Sequence, residues 1–153
     1  MTSHPPAADL SDRLQRAAAA TAAAGLDALV VSPGPDLRYL TGYDALPLER
    51  LTALVLPAAG DPRVVVPGLE RPAAAASPLG ELGLELVTWG ETDDPYALVA
   101  SLLPGAGAVG LDNHMWAEKV LALRAAMPAV EQQLAGRVLR ELRMRKTPEE
   151  IEA

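Results

Sequence analysis

The 153-residue sequence contains no cysteine and no phenylalanine, and only 3% of its residues are aromatic. The absence of cysteine excludes disulfides, thiolate metal sites and a cysteine nucleophile. Because aromatic residues are so few, the core must be built mainly from Leu, Val and Ala, a composition suited to helices packed on strands. One domain of this length can bury a core of that kind.

The sequence also has few basic residues and no long apolar segment. Lys and Arg number 13 against 20 Asp and Glu, which gives a net charge of −7. Because a domain this acidic repels a phosphate backbone, we expect no nucleic-acid partner. No segment approaches the ~18 consecutive apolar residues of a membrane span. Asp9 and Asp12 stand where a secretory signal needs basic residues. We therefore expect a soluble, cytoplasmic protein without a membrane partner.

Helical and strand patterns alternate along most of the chain. The apolar spacing predicts a helix over 10–24 that ends at Gly25, followed by a buried strand over 27–31. A tight turn at 57–62 predicts an antiparallel hairpin of two strands, 52–56 and 63–66. Further helices are predicted over 36–40, 69–76, 95–103, 116–126 and 133–145, and strands over 84–89, 107–111 and 129–132. The predicted fold class is α/β, a mixed β-sheet with helices on both faces.

Two patterns could indicate a ligand or catalytic site, but each has a simpler structural interpretation. The G-x-G-x-x-G pattern at 105–110 follows a helix and runs into a strand, the reverse of a dinucleotide site, so a turn is favoured. His114 beside Asp112 could form an acid–base pair or half of a metal site. A loop that caps the following helix through Asp112 or Asn113 is the simpler interpretation.

Charged residues cluster in two places. Acids after Trp89 could bind a hard cation or act in acid–base catalysis, but their position before Pro95 favours a helix cap; they are Glu91, Asp93 and Asp94. A basic stripe lies near the end of the sequence, along the last predicted helix, and docking on an acidic partner domain and simple solvation both remain open; it comprises Arg137, Arg140, Arg143, Arg145 and Lys146. No serine has a nucleophile elbow, so no catalytic or metal-binding residue is predicted.

The end of the sequence carries a helix start. Thr147 to Glu150 combine an N-cap hydroxyl, a proline at the first helical position and a glutamate that completes a capping box. Only three residues follow, whereas isolated helices shorter than ~12 residues are marginal in water. We therefore expect a chain cut from a longer protein: a disordered leader over 1–8, a domain over 9–146 and the start of a linker or helix over 147–153.

Three segments carry a resemblance to one family. Residues 37–43 (LRYLTGY) resemble the Y-L-T-G-F/Y signature of the N-terminal domain of Xaa-Pro aminopeptidases and prolidases. The helix, Gly25 and the strand over 27–31 resemble the start of that domain. Residues 142–151 (LRMRKTPEEI) are similar to the R-x-x-K-[ST]-x-x-E-[IL] junction that leads into the catalytic pita-bread domain. The chain thus resembles the N-terminal domain of the Xaa-Pro aminopeptidase, prolidase and creatinase family, truncated before the catalytic domain.

The resemblance implies a creatinase-type fold of ribonuclease-H-like appearance. It assigns structural roles to the motif residues Tyr39, Gly42, Arg143 and Lys146. In family members the catalytic domain holds two divalent metal ions, and none of the ligand positions exists here, so no cofactor is expected in this chain. The implied partners are the chain's own C-terminal catalytic domain and a second copy in a homodimer.

The resemblance also implies that loops of this domain limit substrate access to an active site. The loop after Gly42 is the candidate, because it is polar, flanked by proline and held on a rigid strand end; its candidate residues are Tyr43, Asp44, Leu46 and Arg50. The implied function is a non-catalytic domain of a Xaa-Pro aminopeptidase or dipeptidase that aids dimerisation and restricts access. The alternatives are a stand-alone interaction module, a domain of a creatinase-like hydrolase, or a small-molecule enzyme using His114, Asp112 and the acidic cluster.

A last expectation concerns association of the isolated domain. If truncation removes a covering domain, apolar surface near Leu139 and Leu142 is exposed and promotes self-association.

Overall fold

The structure, a computed structural model, describes residues 5–144 and contains a six-stranded mixed sheet. In chain order the strands are β1 (Ala28–Val31), β2 (Ala53–Pro57), β3 (Arg63–Pro67), β4 (Glu85–Trp89), β5 (Ala108–Leu111) and β6 (Glu131–Leu134). Their spatial order is β4-β3-β2-β1-β5-β6. β2 is antiparallel to both β1 and β3, and the remaining neighbours are parallel. The first strand of the chain is therefore central.

Helices cover both faces of this sheet. They are α1 (Ala7–Ala23), α2 (Pro35–Thr41), α3 (Arg71–Ala76), α4 (Pro78–Leu82), α5 (Pro95–Ser101), α6 (Ala117–Ala126) and α7 (Gly136–Met144). Because side chains of a strand alternate, Leu29 and Val31 join one core with α1–α4 and α7, whereas Ala28 and Val30 join a second core with α5 and α6. The predicted α/β class, with a mixed sheet between two helical layers, is confirmed.

The predicted hairpin is present. β2 and β3 pair antiparallel with Ala53 opposite Val65, and every residue from Ala53 to Leu56 is buried. Apolar side chains on both faces explain why the strand reads as a continuous apolar run rather than an alternating one. The first helix also ends as predicted, with Gly25 at a φ of 78°.

The C-terminal elements begin later than predicted. The last strand spans Glu131–Leu134 rather than 129–132, and the last helix starts at Gly136 rather than at 133. Leu134 is therefore not on the apolar side of that helix but 68% exposed on the edge strand. The reason is tertiary: Glu131 N–H donates to Gly107 and Ala135 N–H to Leu111, which pairs a polar segment with β5.

Leu139 and Leu142 are 1% and 6% exposed, respectively. Both lie on the buried side of α7 and pack in the core that α7 shares with α1. The expectation of exposed apolar surface at these two residues is wrong, because this domain covers them itself.

One helix was not predicted, and it explains a glycine of the family motif. α4 is a five-residue helix capped by Ser77, whose Oγ accepts a hydrogen bond from Leu79 N–H. Gly42 ends α2 at a φ of 75°, and a Cβ there would lie 2.9 Å from Pro78. Only glycine meets both demands, the left-handed backbone and the close approach of α4.

Candidate functional site

The loop between α2 and β2, residues 42–51, contains the four predicted access residues. Tyr43 is 6% exposed and packs in the core, where burial and the nearby Glu70 carboxylate raise the pKa of its hydroxyl. Asp44, Leu46 and Arg50 are exposed, Leu46 to 73%. The structure thus separates a buried residue, Tyr43, from an exposed rim formed by Asp44, Leu46 and Arg50.

Two side chains from distant elements hold this loop. The indole Nε1 of Trp89, at the end of β4, donates to the carbonyl of Leu51 at 2.9 Å. The ammonium of Lys119, in the first turn of α6, donates to the carbonyl of Leu48 at 2.5 Å. Neither residue was singled out as an anchor from the sequence, since nothing local to Trp89 or Lys119 signals a partner 38 or 71 residues away.

A groove of about 590 Å³ opens beside the base of the loop. It is lined by Arg50, Pro67, Gly68, Leu69, Trp89, Gly90 and Glu91. Leu69 is 79% exposed, and the Arg50 guanidinium lies 3.8 Å from the Glu91 carboxylate across the opening. The groove therefore has a mainly apolar lining and carries one charge of each sign, Arg50 and Glu91.

Tyr39 and Arg143, two of the motif residues, belong to one cluster. The Tyr39 ring has the Arg13 guanidinium 4.1 Å and the Arg143 guanidinium 5.8 Å from its centroid. Arg13 also donates to the Tyr39 carbonyl, and Arg143 forms an ion pair with Asp36 at 3.1 Å. This cluster ties α1, α2 and α7 together. The fourth motif residue, Lys146, lies outside the described residues.

The acidic cluster is mainly structural. Asp94 caps α5 by accepting hydrogen bonds from the N–H groups of Tyr96 and Ala97, and Asp93 accepts one from Gly90. This confirms the interpretation as a helix cap. Glu91 alone faces the groove, through Arg50.

Asp112 is buried and fully engaged. Its carboxylate accepts hydrogen bonds from Ser32 N–H and Ser32 Oγ, both at 2.7 Å, and from His114 N–H at 3.0 Å. Burial raises the pKa of this carboxyl despite those bonds. The loop interpretation was right, but the cap was misplaced: Asn113 accepts from Gly136 N–H and so caps α7, while α6 has no side-chain cap.

The glycine pattern at 105–110 forms a turn and a strand. Gly105 has a φ of 74°, and Gly110 lies within β5 with Leu29 opposite. The N–H groups of Gly107 and Ala108 are bound by the Asp27 carboxylate, which occupies the donors that a phosphate would need. A turn rather than a nucleotide site is what the geometry supports.

The basic stripe divides into two groups. Arg137 and Arg140 are exposed on α7, whereas Arg143 pairs with Asp36. Arg145 lies outside the described residues, as does the predicted helix start after 146. Of the leader predicted over 1–8, residues 1–4 also lie outside them, whereas Ala7 and Ala8 belong to α1 and are helical rather than disordered.

Two features are absent from the described part of the chain. Within residues 5–144, no three His, Asp or Glu side chains come together as a possible metal site. Over the same range no helix is long and apolar enough to cross a membrane. The predicted pair of divalent metals concerns residues beyond this chain and stays a prediction.

The Creatinase/Prolidase N-terminal domain model matches residues 13–145. The chain belongs to this family. A probable dipeptidase PepE from Mycobacterium tuberculosis (strain H37Rv) is 52% identical over 142 residues, which cover 92% of this chain and 38% of that protein. The same name and identity apply to a protein of Mycobacterium bovis. The recognised family is thus confirmed.

Solved structures agree with the fold in detail. The crystal structure of dipeptidase PepE from Mycobacterium ulcerans superposes with a TM-score of 0.91 at 46% identity, over 99% of this chain and 41% of that one. A recombinant prolidase from Thermococcus sibiricus gives a TM-score of 0.78 at 27% identity, over 94% of this chain and 39% of that one. The chain therefore spans about two fifths of the length of these dipeptidase- and prolidase-like relatives.

Proposed function

We propose that this chain is the non-catalytic N-terminal domain of a Xaa-Pro dipeptidase or aminopeptidase, in which it assists dimerisation and restricts substrate access. Family membership and the names of the relatives, dipeptidase and prolidase, support this proposal. So does the 38–41% of each relative's length that the chain covers, which leaves most of the relatives' length to other domains.

The observation that carries the proposal is the exposed rim of residues 42–51 above an anchored base. Leu46 and Leu48 are 73% and 45% exposed, yet the Leu48 and Leu51 carbonyls are bound by Lys119 and Trp89. Holding apolar side chains in water has no benefit for the isolated domain. In an assembled enzyme the same side chains can cover an active-site opening and exclude the longer peptides.

Catalysis belongs to the absent domain in this proposal. Divalent metal ions held there would activate the attacking water and polarise the scissile carbonyl. The residues of this chain bind and confine the peptide. The apolar side chains of the loop exclude longer peptides, and Arg50 and Glu91 at the groove pair with the charged ends of the peptide.

The test is the length selectivity of the full-length protein. Leu46→Ala should raise kcat/KM for Ala-Pro-Ala-Ala relative to Ala-Pro by about tenfold, because one apolar rim contact that discriminates substrates is worth roughly 1–3 kcal/mol. Leu121→Ala is the matched control, since Leu121 is similarly exposed, at 63%, but lies on α6. An unchanged ratio in Leu46→Ala, or an equal change in both variants, would contradict the access role. Sedimentation of the full-length protein as a monomer would contradict the dimer.

A further inference from the structure

Lys119 is a buried cation whose environment is specific. It is one of two lysines in the sequence, and the residue is only 2% exposed. Its ammonium donates to the Leu48 carbonyl and lies 4.9 Å from the centroid of the Trp116 ring. Burial lowers the pKa of this ammonium, while the carboxylates of Glu118 and Asp112 oppose that shift. A lysine that only solubilised the surface would extend into water instead.

The loop that Lys119 contacts has little internal structure of its own. Within the described part of the chain, residues 44–50 make no backbone–backbone hydrogen bond and belong to no helix or strand. Trp89 fixes the end of the loop at Leu51, and Tyr43 fixes its beginning in the core. Between these two ends, Lys119 donates a hydrogen bond to the segment carrying the exposed Leu46 and Leu48, and the exposed Arg50 adds a looser ion pair with Glu91 at 3.8 Å.

We propose that Lys119 is a positioning residue that sets the conformation of residues 42–51 and, through it, the peptide selectivity of the assembled enzyme. Its charge-assisted bond to a backbone carbonyl holds the loop whatever side chain occupies position 48. The ring of Trp116 favours the ammonium over a neutral side chain at the same place. The functional half of this inference rests on the access role proposed above, and its structural half does not.

The structural half is tested by limited trypsin digestion of the full-length protein. Arg50 is exposed and is the only tryptic site within residues 42–51, so the fragment that ends at Arg50 reports opening of the loop. Lys119→Met removes the donor and keeps the length of the side chain. We expect cleavage after Arg50 about tenfold faster than in wild type, the population change that follows loss of one hydrogen bond to a charged group.

Two further variants make this result specific. Lys119→Arg keeps a cationic donor and should restore slow cleavage. Arg124→Met removes an exposed cation from the last turn of the same helix and should leave the rate unchanged. Wild-type cleavage in Lys119→Met, with an unchanged melting temperature, would overturn the proposal. If Lys119→Met does not fold, Lys119→Gln takes its place, because its amide keeps a polar group in the buried site but removes the charge of the hydrogen bond to Leu48, so faster cleavage than in wild type is again expected.

The functional half is tested by kinetics on the same proteins. For Lys119→Met we expect a raised KM for Ala-Pro with unchanged kcat, and faster relative turnover of Ala-Pro-Ala-Ala; Lys119→Arg should reverse both changes. A variant that only lowered stability would reduce the apparent kcat, because less enzyme is folded, and would leave KM unchanged. Faster cleavage after Arg50 with wild-type kinetics would uphold the anchoring by Lys119 and overturn the access role of the loop.

Discussion

The central parallel strands β1 and β5 are crosslinked at each end by an aspartate, which is exposed at one end and buried at the other. At one end, Asp27 precedes β1 and its carboxylate accepts the N–H groups of Gly107 and Ala108, at 2.7 and 3.0 Å. At the other end, Asp112 follows β5 and accepts both the N–H and the hydroxyl of Ser32, which follows β1. Each strand thus sends one aspartate across to its neighbour.

The surroundings decide the electrostatics of the two aspartates. Asp27 is exposed, and its backbone hydrogen bonds lower the pKa of the carboxyl below its ordinary value of 3.8. Asp112 is 3% exposed, and burial, with a smaller contribution from Asp36, raises its pKa although it accepts more hydrogen bonds. Desolvation outweighs hydrogen bonding at one end and not at the other. Equal geometry therefore does not imply equal pH dependence.

The largest effect is expected at the buried end. Asp112→Ala leaves the N–H and the hydroxyl of the buried Ser32 without their acceptor, and each buried orphan costs about 1–3 kcal/mol, so we expect a loss of roughly 3 kcal/mol in the free energy of unfolding. Urea denaturation measures it. Asp112→Asn keeps one acceptor oxygen and should lose less. A loss below about 1 kcal/mol for the alanine variant would show that the buried crosslink is replaceable.

A smaller effect is expected midway between the two crosslinks. Gly110 lies opposite Leu29, and an added Cβ would lie 2.8 Å from Leu29 Cδ2 and 3.1 Å from Leu26 Cδ1. Because both leucines are buried, Gly110→Ala overpacks the core and should cost about 1–2 kcal/mol. Thermal unfolding measures it, with Gly68→Ala as the matched control, because a Cβ there would lie no closer than 3.6 Å to the Trp89 carbonyl oxygen. An unchanged melting temperature would mean that β1 and β5 can move apart between the two aspartate crosslinks.

The smallest effect is expected at the exposed end, and it should depend on pH. Because the folded-state pKa of Asp27 lies below 3.8, its stabilisation is present above that value and is lost as the pH falls through the folded pKa. Asp27→Asn should therefore differ from wild type at neutral pH and converge with it in acid. Asp112 has the opposite sign: its contribution is largest below 3.8 and declines as the pH rises through its raised pKa. Urea denaturation of Asp27→Asn and Asp112→Asn across this pH range measures both contributions. If the stability difference from wild type changed with pH in the same direction for the two variants, the comparison would be contradicted.

Much of the fold could be predicted because its strands are strongly marked. The buried runs at Ala28–Val31 and Ala53–Pro57, and the turn between β2 and β3, have local signals. The position predicted for β6 is wrong by two residues, because its sequence, EQQL, is polar and the strand is defined by its pairing with β5. α4 was missed because its five residues contain a glycine and carry too little periodicity.

The candidate site was predictable only in part, and for a different reason. The loop after Gly42 was found through its motif and its position on the chain. Its anchors, Lys119 and Trp89, were not, because their partners are backbone carbonyls, which leave no trace in the sequence. Tyr43 was grouped with the exposed loop residues although its ring belongs to the core, since an aromatic residue beside a glycine indicates neither burial nor exposure.

The central position of β1 has a consequence for synthesis on the ribosome. One edge of β1 is closed early by β2, but the other waits for β5, about 80 residues later. At typical elongation rates that delay lasts roughly 4–16 s. Throughout it, a fully apolar four-residue strand presents an open edge to other nascent chains. The emergence of β5 therefore ends the interval in which this edge of β1 can pair with another chain.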